Sequence, residues 1–269
     1  MTGTLTWIGT ATTLVSYGGF TLLTDPNFLR RGERAYLGKG LWSVRRTDPS
    51  LRLEQLPALD AVVLSHLHGD HFDRRARRGL AKDTTILTTR AAARTLRRWG
   101  FEHAIALDTW QSHTLAKPDG STLTVTAAPG RHAPGPLRAL LPPVMGSVLA
   151  FAPAGTEPAL QVYVTGDTLV HDDLAEVPRR YPDLDVGLWH LGGTRIPAGL
   201  PFGALVTMDA QQGADLLALV RPDRTVPIHH GDYGVFASPV EDFLAEVARR
   251  GLAGVRPVAR GGSLELPPP

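Results

Sequence analysis

The sequence predicts a mixed α/β fold, and three observations lead there. The first 25 residues read as one strand after another. From residue 60 onward, strand-like and helix-like segments alternate. Four of the strands run directly into His or Asp, and open α/β sheets build their sites at such carboxyl ends.

Leu5–Ile8 and Thr12–Tyr17 are β-branched and aromatic, Gly18-Gly19 supplies a hairpin turn, and Phe20–Thr24 follows. Asp25-Pro26 stops this meander. Residues 27–57 have little periodicity and hold Arg30, Arg31, Arg34, Trp42, Arg45 and Arg46, so a functional loop or flexible lid is expected. Asp60–Ser65 is a continuous apolar run suited to a strand buried on both faces. An Arg-rich helix should begin near Asp73, a strand cover Thr84–Thr88, and a helix cover Ala91–Trp99. Thr122–Ala127 alternates cleanly as a strand, whereas 133–146, with Pro134, Pro136, Pro142 and Pro143, reads as a loop. Ser147–Ala152, Gln161–Val164, Asp185–Trp189 and Thr225–Ile228 are further strands. Asp209 and Gln212 are spaced as a capping pair for a helix stopped by Pro222. A capping box at Ser238-Pro239-Val240-Glu241 opens a last helix that ends near Gly251. No repeat, low-complexity stretch or linker interrupts the chain, so residues 1–269 read as one domain.

Composition narrows the function. A 269-residue chain with 43% hydrophobic and 20% charged residues is an ordinary globular protein that buries a core without staples. The absence of cysteine excludes disulfides, thiolate nucleophiles, Cys-ligated zinc and iron–sulfur clusters. Any metal must therefore sit on His, Asp or Glu. The 28 basic and 26 acidic residues nearly cancel, and no basic run is interleaved with aromatics, so no nucleic-acid partner is expected. Only Lys39, Lys82 and Lys117 are lysines, an arginine bias read as codon usage ahead of phosphate recognition. With no long apolar run and no leader-like start, neither stable membrane association nor secretion is expected, and the cytoplasm is the default compartment.

The chemistry gathers at the strand ends. The strand ending at Ser65 delivers His66, His68, Asp70 and His71, and the strand at 122–127 delivers His132. Those ending at Val164 and Ile228 deliver Asp167 and His229. His-x-His-x-Asp-His in a tight loop can set His66 and His68 on one ion while Asp70 and His71 turn toward a second. Neutral imidazoles with a carboxylate suit zinc, manganese or iron(II).

With these residues in view, the sequence resembles the metallo-β-lactamase-fold hydrolase superfamily. The resemblance runs through Trp7-Ile-Gly-Thr-Ala-Thr12, Leu23-Thr-Asp-Pro26, Ser65-His-Leu-His-Gly-Asp-His71, Gly130-Arg-His132, Thr165-Gly-Asp-Thr168 and Pro227-Ile-His229. It is most similar to the branch of the L-ascorbate-6-phosphate lactonase and the phospholipase D that acts on N-acylphosphatidylethanolamine. That resemblance implies a four-layer αββα sandwich with the site at one edge of two sheets. It also implies two divalent ions, zinc or manganese first and iron as an alternative. His66, His68 and His132 would hold the first, Asp70, His71 and His229 the second, and Asp167 would bridge. A hydroxide between the ions would attack a lactone, carboxylic ester or phosphodiester of a small-molecule substrate. Asp70 or Asp167 would orient the nucleophile or take its proton.

The chain departs from its relatives at two places. Thr10 stands where many carry His, and His230-Gly-Asp-Tyr233 replaces Tyr-Asp-Asp-Tyr. His230 is therefore an extra imidazole, expected to act on substrate or leaving group. Asp25 is expected to accept a proton from a ligand imidazole and His190 to meet substrate. His171 is placed at the surface, and His103 and His113 are structural. Trp7, Trp99, Trp110 and Trp189 read as core or half-buried. Arginines of the 27–57 loop would grip an anion, and the 133–146 loop would cover an apolar group. An iron-dependent oxidoreductase on the same fold is the rival reading, with homo-oligomerisation left open.

Overall fold

The computed structural model describes residues 3–196 and 203–268. In chain order its first strands are β1 (Thr4–Gly9), β2 (Thr12–Tyr17), β3 (Phe20–Thr24), β4 (Arg34–Tyr36), β5 (Trp42–Val44), β6 (Ala61–Leu64), β7 (Ile86–Thr88) and β8 (Ala104–Ala106). Then come β9 (Ser112–Ala116), β10 (Thr122–Ala128), β11 (Gly146–Ala152), β12 (Leu160–Val164), β13 (Val186–His190), β14 (Arg195–Ile196), β15 (Ala204–Leu205), β16 (Arg224–Ile228) and β17 (Ser263–Glu265). The α-helices are α1 (Arg74–Gly79), α2 (Arg90–Arg98), α3 (Glu176–Arg180), α4 (Ala210–Val220) and α5 (Val240–Arg249).

Two large sheets carry the fold. One is ordered β17-β1-β2-β3-β6-β7-β8 and the other β16-β13-β12-β11-β10-β9. In each, an antiparallel portion continues into parallel strands: β3, β6, β7 and β8 in the first, β12, β13 and β16 in the second. Because side chains alternate along a strand, each sheet offers two faces. Leu5, Val15 and Leu22 from one sheet meet Leu123, Val125, Leu149 and Val162 from the other in a shared core. On the outer face of the first sheet, Ile8, Val62 and Leu64 pack on Ala76 of α1 and Ala92, Ala93 and Leu96 of α2. Beyond the second, Val148, Tyr163 and Trp189 pack on Val177 of α3, Ala214 and Leu217 of α4 and Phe243 and Val247 of α5. The layers are therefore helix, sheet, sheet, helix, the expected αββα order.

Several local expectations change. Within 27–57 the chain forms the β4–β5 hairpin and a short 3₁₀ turn at Leu53–Gln55. Its Arg45 is fully buried, so it does not grip an anion at the surface. The Arg45 guanidinium donates to the Asn27 side chain and to the carbonyls of Asn27 and Thr47. Asn27 Nδ2 in turn donates to the Gly69 carbonyl at 2.8 Å, and Tyr233 Oη donates to Asn27 Oδ1 at 3.0 Å. The Pro-rich loop contains a 3₁₀ segment at Gly135–Leu140. The box at 238–241 does not close: Ser238 Oγ accepts the Ala210 amide instead, so it serves α4 rather than its own helix. Strands β8 and β9 went unread, because three- and five-residue edge segments leave too little pattern.

Asp73 joins helix capping to the strand-end loops. Oδ1 accepts the amides of Arg75 and Ala76, while Oδ2 accepts those of Phe28 and Leu29. Replacing Asp73 by Ala leaves these buried donors unpaired and should cost about 2–3 kcal/mol. Urea unfolding of the variant against the parent protein measures it, and a loss below 0.5 kcal/mol would refute this role.

Candidate metal centre

The carboxyl ends of β3, β6, β10, β12, β13 and β16 converge at one rim of the two sheets. They bring Asp25, His66, His68, Asp70, His71, His132, Asp167, His190 and His229 within one buried region. Asp25 (φ 35°) and His229 (φ 59°) hold left-handed backbone conformations that are costly for such residues. Thr10 (φ 51°) does the same, and its carbonyl accepts the His229 amide at 2.8 Å. The left-handed turn at Thr10 is pinned in turn by the fully buried Asp232, which accepts its amide.

Four overlapping groups of ligating atoms result, and two of them are the sets the resemblance implies. In the first, His68 Nδ1 lies 2.9 Å from His66 Nε2 and 3.2 Å from His132 Nε2. His132 Nδ1 donates to the Val206 carbonyl at 2.7 Å, and His66 Nδ1 meets Ser65 Oγ at 3.0 Å. These partners place the protons on Nδ1 and leave the Nε2 lone pairs facing a common point. Burial and the neighbouring imidazoles hold His66 and His68 below the usual imidazole range, His68 at about 3. Burial likewise lowers His132. Neutral imidazoles aimed at one another repel unless a cation lies between them.

The second set is Asp70, His71 and His229. His229 Nδ1 donates to the Leu191 carbonyl at 2.9 Å, and its Nε2 lies 3.5 Å from Asp70 Oδ2. His71 Nε2 lies 3.2 Å from Asp167 Oδ2. The same Asp167 oxygen is 4.0 Å from His132 Nε2, so this carboxylate stands between the sets. Thr207 Oγ1 donates to it at 3.3 Å. Asp70 Oδ1, His71 Nε2, Asp167 Oδ1 and His229 Nε2 are buried with no hydrogen-bond partner. Burial opposes the charge on His71, yet Asp167, Asp25 and Asp70 raise it well above an ordinary imidazole. Burial likewise opposes ionisation of Asp167, but His229 and His71 draw it well below the carboxylate range. The donor set thus fits divalent cations, and it carries a surplus of buried negative charge where they would sit.

Behind the ligands, Asp25 is a common acceptor. Its Oδ2 lies 3.1 Å from His71 Nδ1 and 3.4 Å from His190 Nε2, and Ser65 donates its amide and hydroxyl at 2.7 and 2.9 Å. Burial would raise this acid, but His71 and His190 bring it down to about 2.

His190 is fully buried, with Nδ1 3.1 Å from Thr165 Oγ1 and Nε2 3.4 Å from Asp25 Oδ2, and with Asp25 and His71 it forms a further group of ligating atoms. His230 packs on Trp7, centroids 4.9 Å apart, and belongs to none of these groups of ligating atoms. Ser65, Thr165, Thr207 and Asn27 were not singled out in the sequence. Single hydroxyls and amides give no periodic signal, although Ser65 and Thr165 lie within the quoted motifs.

A family model described as beta-lactamase superfamily domain matches residues 22–230. A metal-dependent hydrolase of Pyrobaculum arsenaticum is 26% identical over 264 residues, covering 97% of this chain and 98% of its own. An N-acyl-phosphatidylethanolamine-hydrolyzing phospholipase D of Caenorhabditis elegans is 30% identical over 138 residues, 47% of this chain and 37% of that protein. The crystal structure of a possible metal-dependent hydrolase from Veillonella parvula superposes with a TM-score of 0.80 at 22% identity, covering 99% of this chain and 100% of that one.

Replacing Asp25 by Ala should weaken metal retention by roughly 10–100-fold, because His71 loses the acceptor that fixes its tautomer. Competition with a chromophoric chelator reads this, and unchanged affinity would show that Asp25 does not support the ligand. His230→Ala should leave metal affinity unchanged while losing about 0.5–1.5 kcal/mol of stability from the Trp7 contact. A drop in metal content in that variant would return His230 to the site.

Proposed function

The chain belongs to the beta-lactamase superfamily, and on that premise we propose that it is a hydrolase with a two-metal centre acting on an ester-like bond. Metal-dependent hydrolysis is the coarse activity, carried by the family and by relatives bearing that name along nearly their whole length. The observation that supports two metals is the pair of buried ligand sets flanking Asp167. His66, His68 and His132 would hold one ion, Asp70, His71 and His229 the other, and Asp167 would reach both. Divalent ions at such nitrogen and oxygen donors supply Lewis-acid charge that acidifies water and polarises the oxygen under attack.

The chain's own residues do the rest. Asp70 and Asp167 each keep Oδ1 free of protein hydrogen-bond partners, so both carboxylates are suited to orient the attacking water and accept its proton. Asp167, whose Oδ2 is engaged by His71 and Thr207, holds the two ligand sets together. Asp25 keeps the His71 Nδ1 proton in place, and the carbonyls of Val206 and Leu191 do the same for His132 and His229. Substrates are small lactones, carboxylic esters or phosphodiesters. Within the same reading, residues 1–269 act as one domain in the cytoplasm. No helix among the described residues is long and apolar enough to cross a membrane.

The test is metal analysis of protein purified without chelator, with a small ester, lactone and phosphodiester panel assayed on the same sample. About two equivalents of zinc or manganese are expected, with turnover lost on chelation and restored by metal. Asp70→Ala should lower kcat by roughly 10²–10⁴-fold, the range of an acid–base group. One iron per chain with oxygen uptake and no hydrolysis would replace this reading by the oxidoreductase.

A further inference from the structure

A groove of about 590 Å³ lies beside the candidate metal centre and reaches the ligand His132. Its walls come from the turn between β8 and β9, the segment after β10, the Pro-rich loop, and the segment leading into α3. Trp110, Pro129, Pro142 and Pro143 give it flat, ring-bearing surfaces, and Val144 adds apolar area. Trp110 is held in a left-handed conformation (φ 68°), with its amide donating to the Ala127 carbonyl at 2.7 Å, and Arg180 stacks 4.4 Å from its ring centre. Nothing in the chemistry of the ligand sets requires this arrangement.

His171 is the second observation. The sequence placed it at the surface, yet its side chain is only 4% exposed and lines the groove. Its Nδ1 lies 3.4 Å from Asp173 Oδ2, and its Nε2 is buried without a partner. An orphaned imidazole nitrogen is costly unless something completes its hydrogen bonding, even on a groove whose lining also includes Arg131, Arg138, Asp173 and Glu176.

We infer that this groove is a specificity subsite that takes an aromatic arm of the substrate, with His171 bonding a polar substituent on that ring. The inference rests on the proposed hydrolase reading for the reacting end and adds what the other end must be. A ring slides between indole and proline faces, where it loses water-exposed apolar area and gains ring–ring packing. A hydroxyl on the ring meets His171 Nε2. The carbonyl end points back along the groove toward His132 and the ligand sets. An aromatic ester or lactone with a ring hydroxyl meets all three conditions.

The test titrates metal-loaded protein calorimetrically with three product-like acids: propanoate, 3-phenylpropanoate and 3-(4-hydroxyphenyl)propanoate. The phenyl ring should tighten binding about tenfold over propanoate, and the hydroxyl about threefold more. Trp110→Ala should abolish the ring advantage, and His171→Phe only the hydroxyl advantage, with propanoate affinity and metal content unchanged in both. Ala139→Trp, at an exposed position on the same groove, should block the ring without depending on how well Trp110→Ala folds. Equal binding of the three acids, or a ring advantage that survives both Trp110→Ala and Ala139→Trp, would overturn the subsite. Ring preference without hydrolysis of any ester or lactone would overturn the hydrolase reading and leave the subsite standing.

Discussion

Three carboxylates, Asp25, Asp70 and Asp167, are buried together against imidazoles, and this charge balance constrains everything around them. Taking a carboxylate out of water is expensive unless opposite charge and hydrogen bonds meet it. Asp25 meets both needs within the protein, through His71, His190 and Ser65. Asp70 and Asp167 do not, because each keeps an oxygen without a partner beside imidazole nitrogens that also lack one. Divalent cations would resolve that imbalance, so the case for metal at these residues is one of electrostatics as well as of ligand spacing.

The support behind the candidate ligands explains how loops at the strand ends hold such a geometry. Every ligand imidazole whose outer nitrogen finds a partner finds an oxygen: Ser65 for His66, Asp25 for His71, the Val206 carbonyl for His132 and the Leu191 carbonyl for His229. Each contact fixes a tautomer and a ring orientation at once. The left-handed residues Thr10, Asp25 and His229 tighten the same rim, where strain is offset by hydrogen bonds from neighbouring strands. The buried Arg45 extends the scheme outward, since Asn27 links its guanidinium to the Gly69 carbonyl inside the metal-binding loop.

The two sheets divide the labour. The first supplies the His66–His71 loop and Asp25 from adjacent parallel strands, and the second supplies His132, Asp167, His190 and His229. Neither sheet holds a complete set, so the site exists only because the shared apolar core fixes the sheets relative to each other. The groove lined by Trp110 and His171 lies at the second sheet's side of this rim and shares His132 with the first ligand set.

The alternation of strands and helices and the run of His and Asp at strand ends were legible in the sequence, and the αββα class was what the resemblance carried by those residues implied. Alternation and apolar runs are local signals, and His-x-His-x-Asp-His is dense enough to stand out. Orientation was not legible. His229 and His230 are neighbours of one type, yet one joins a candidate ligand set and the other packs on Trp7, a difference that follows the left-handed turn at His229. His190 was expected to meet substrate from its place at a strand end and Arg45 to grip an anion from its loop, and tertiary structure buries both fully. Which oxygen faces each imidazole, and which side chain faces the groove, depends on elements far apart in the chain. Only packing of the two sheets brings those elements together, so only the tertiary structure decided these roles.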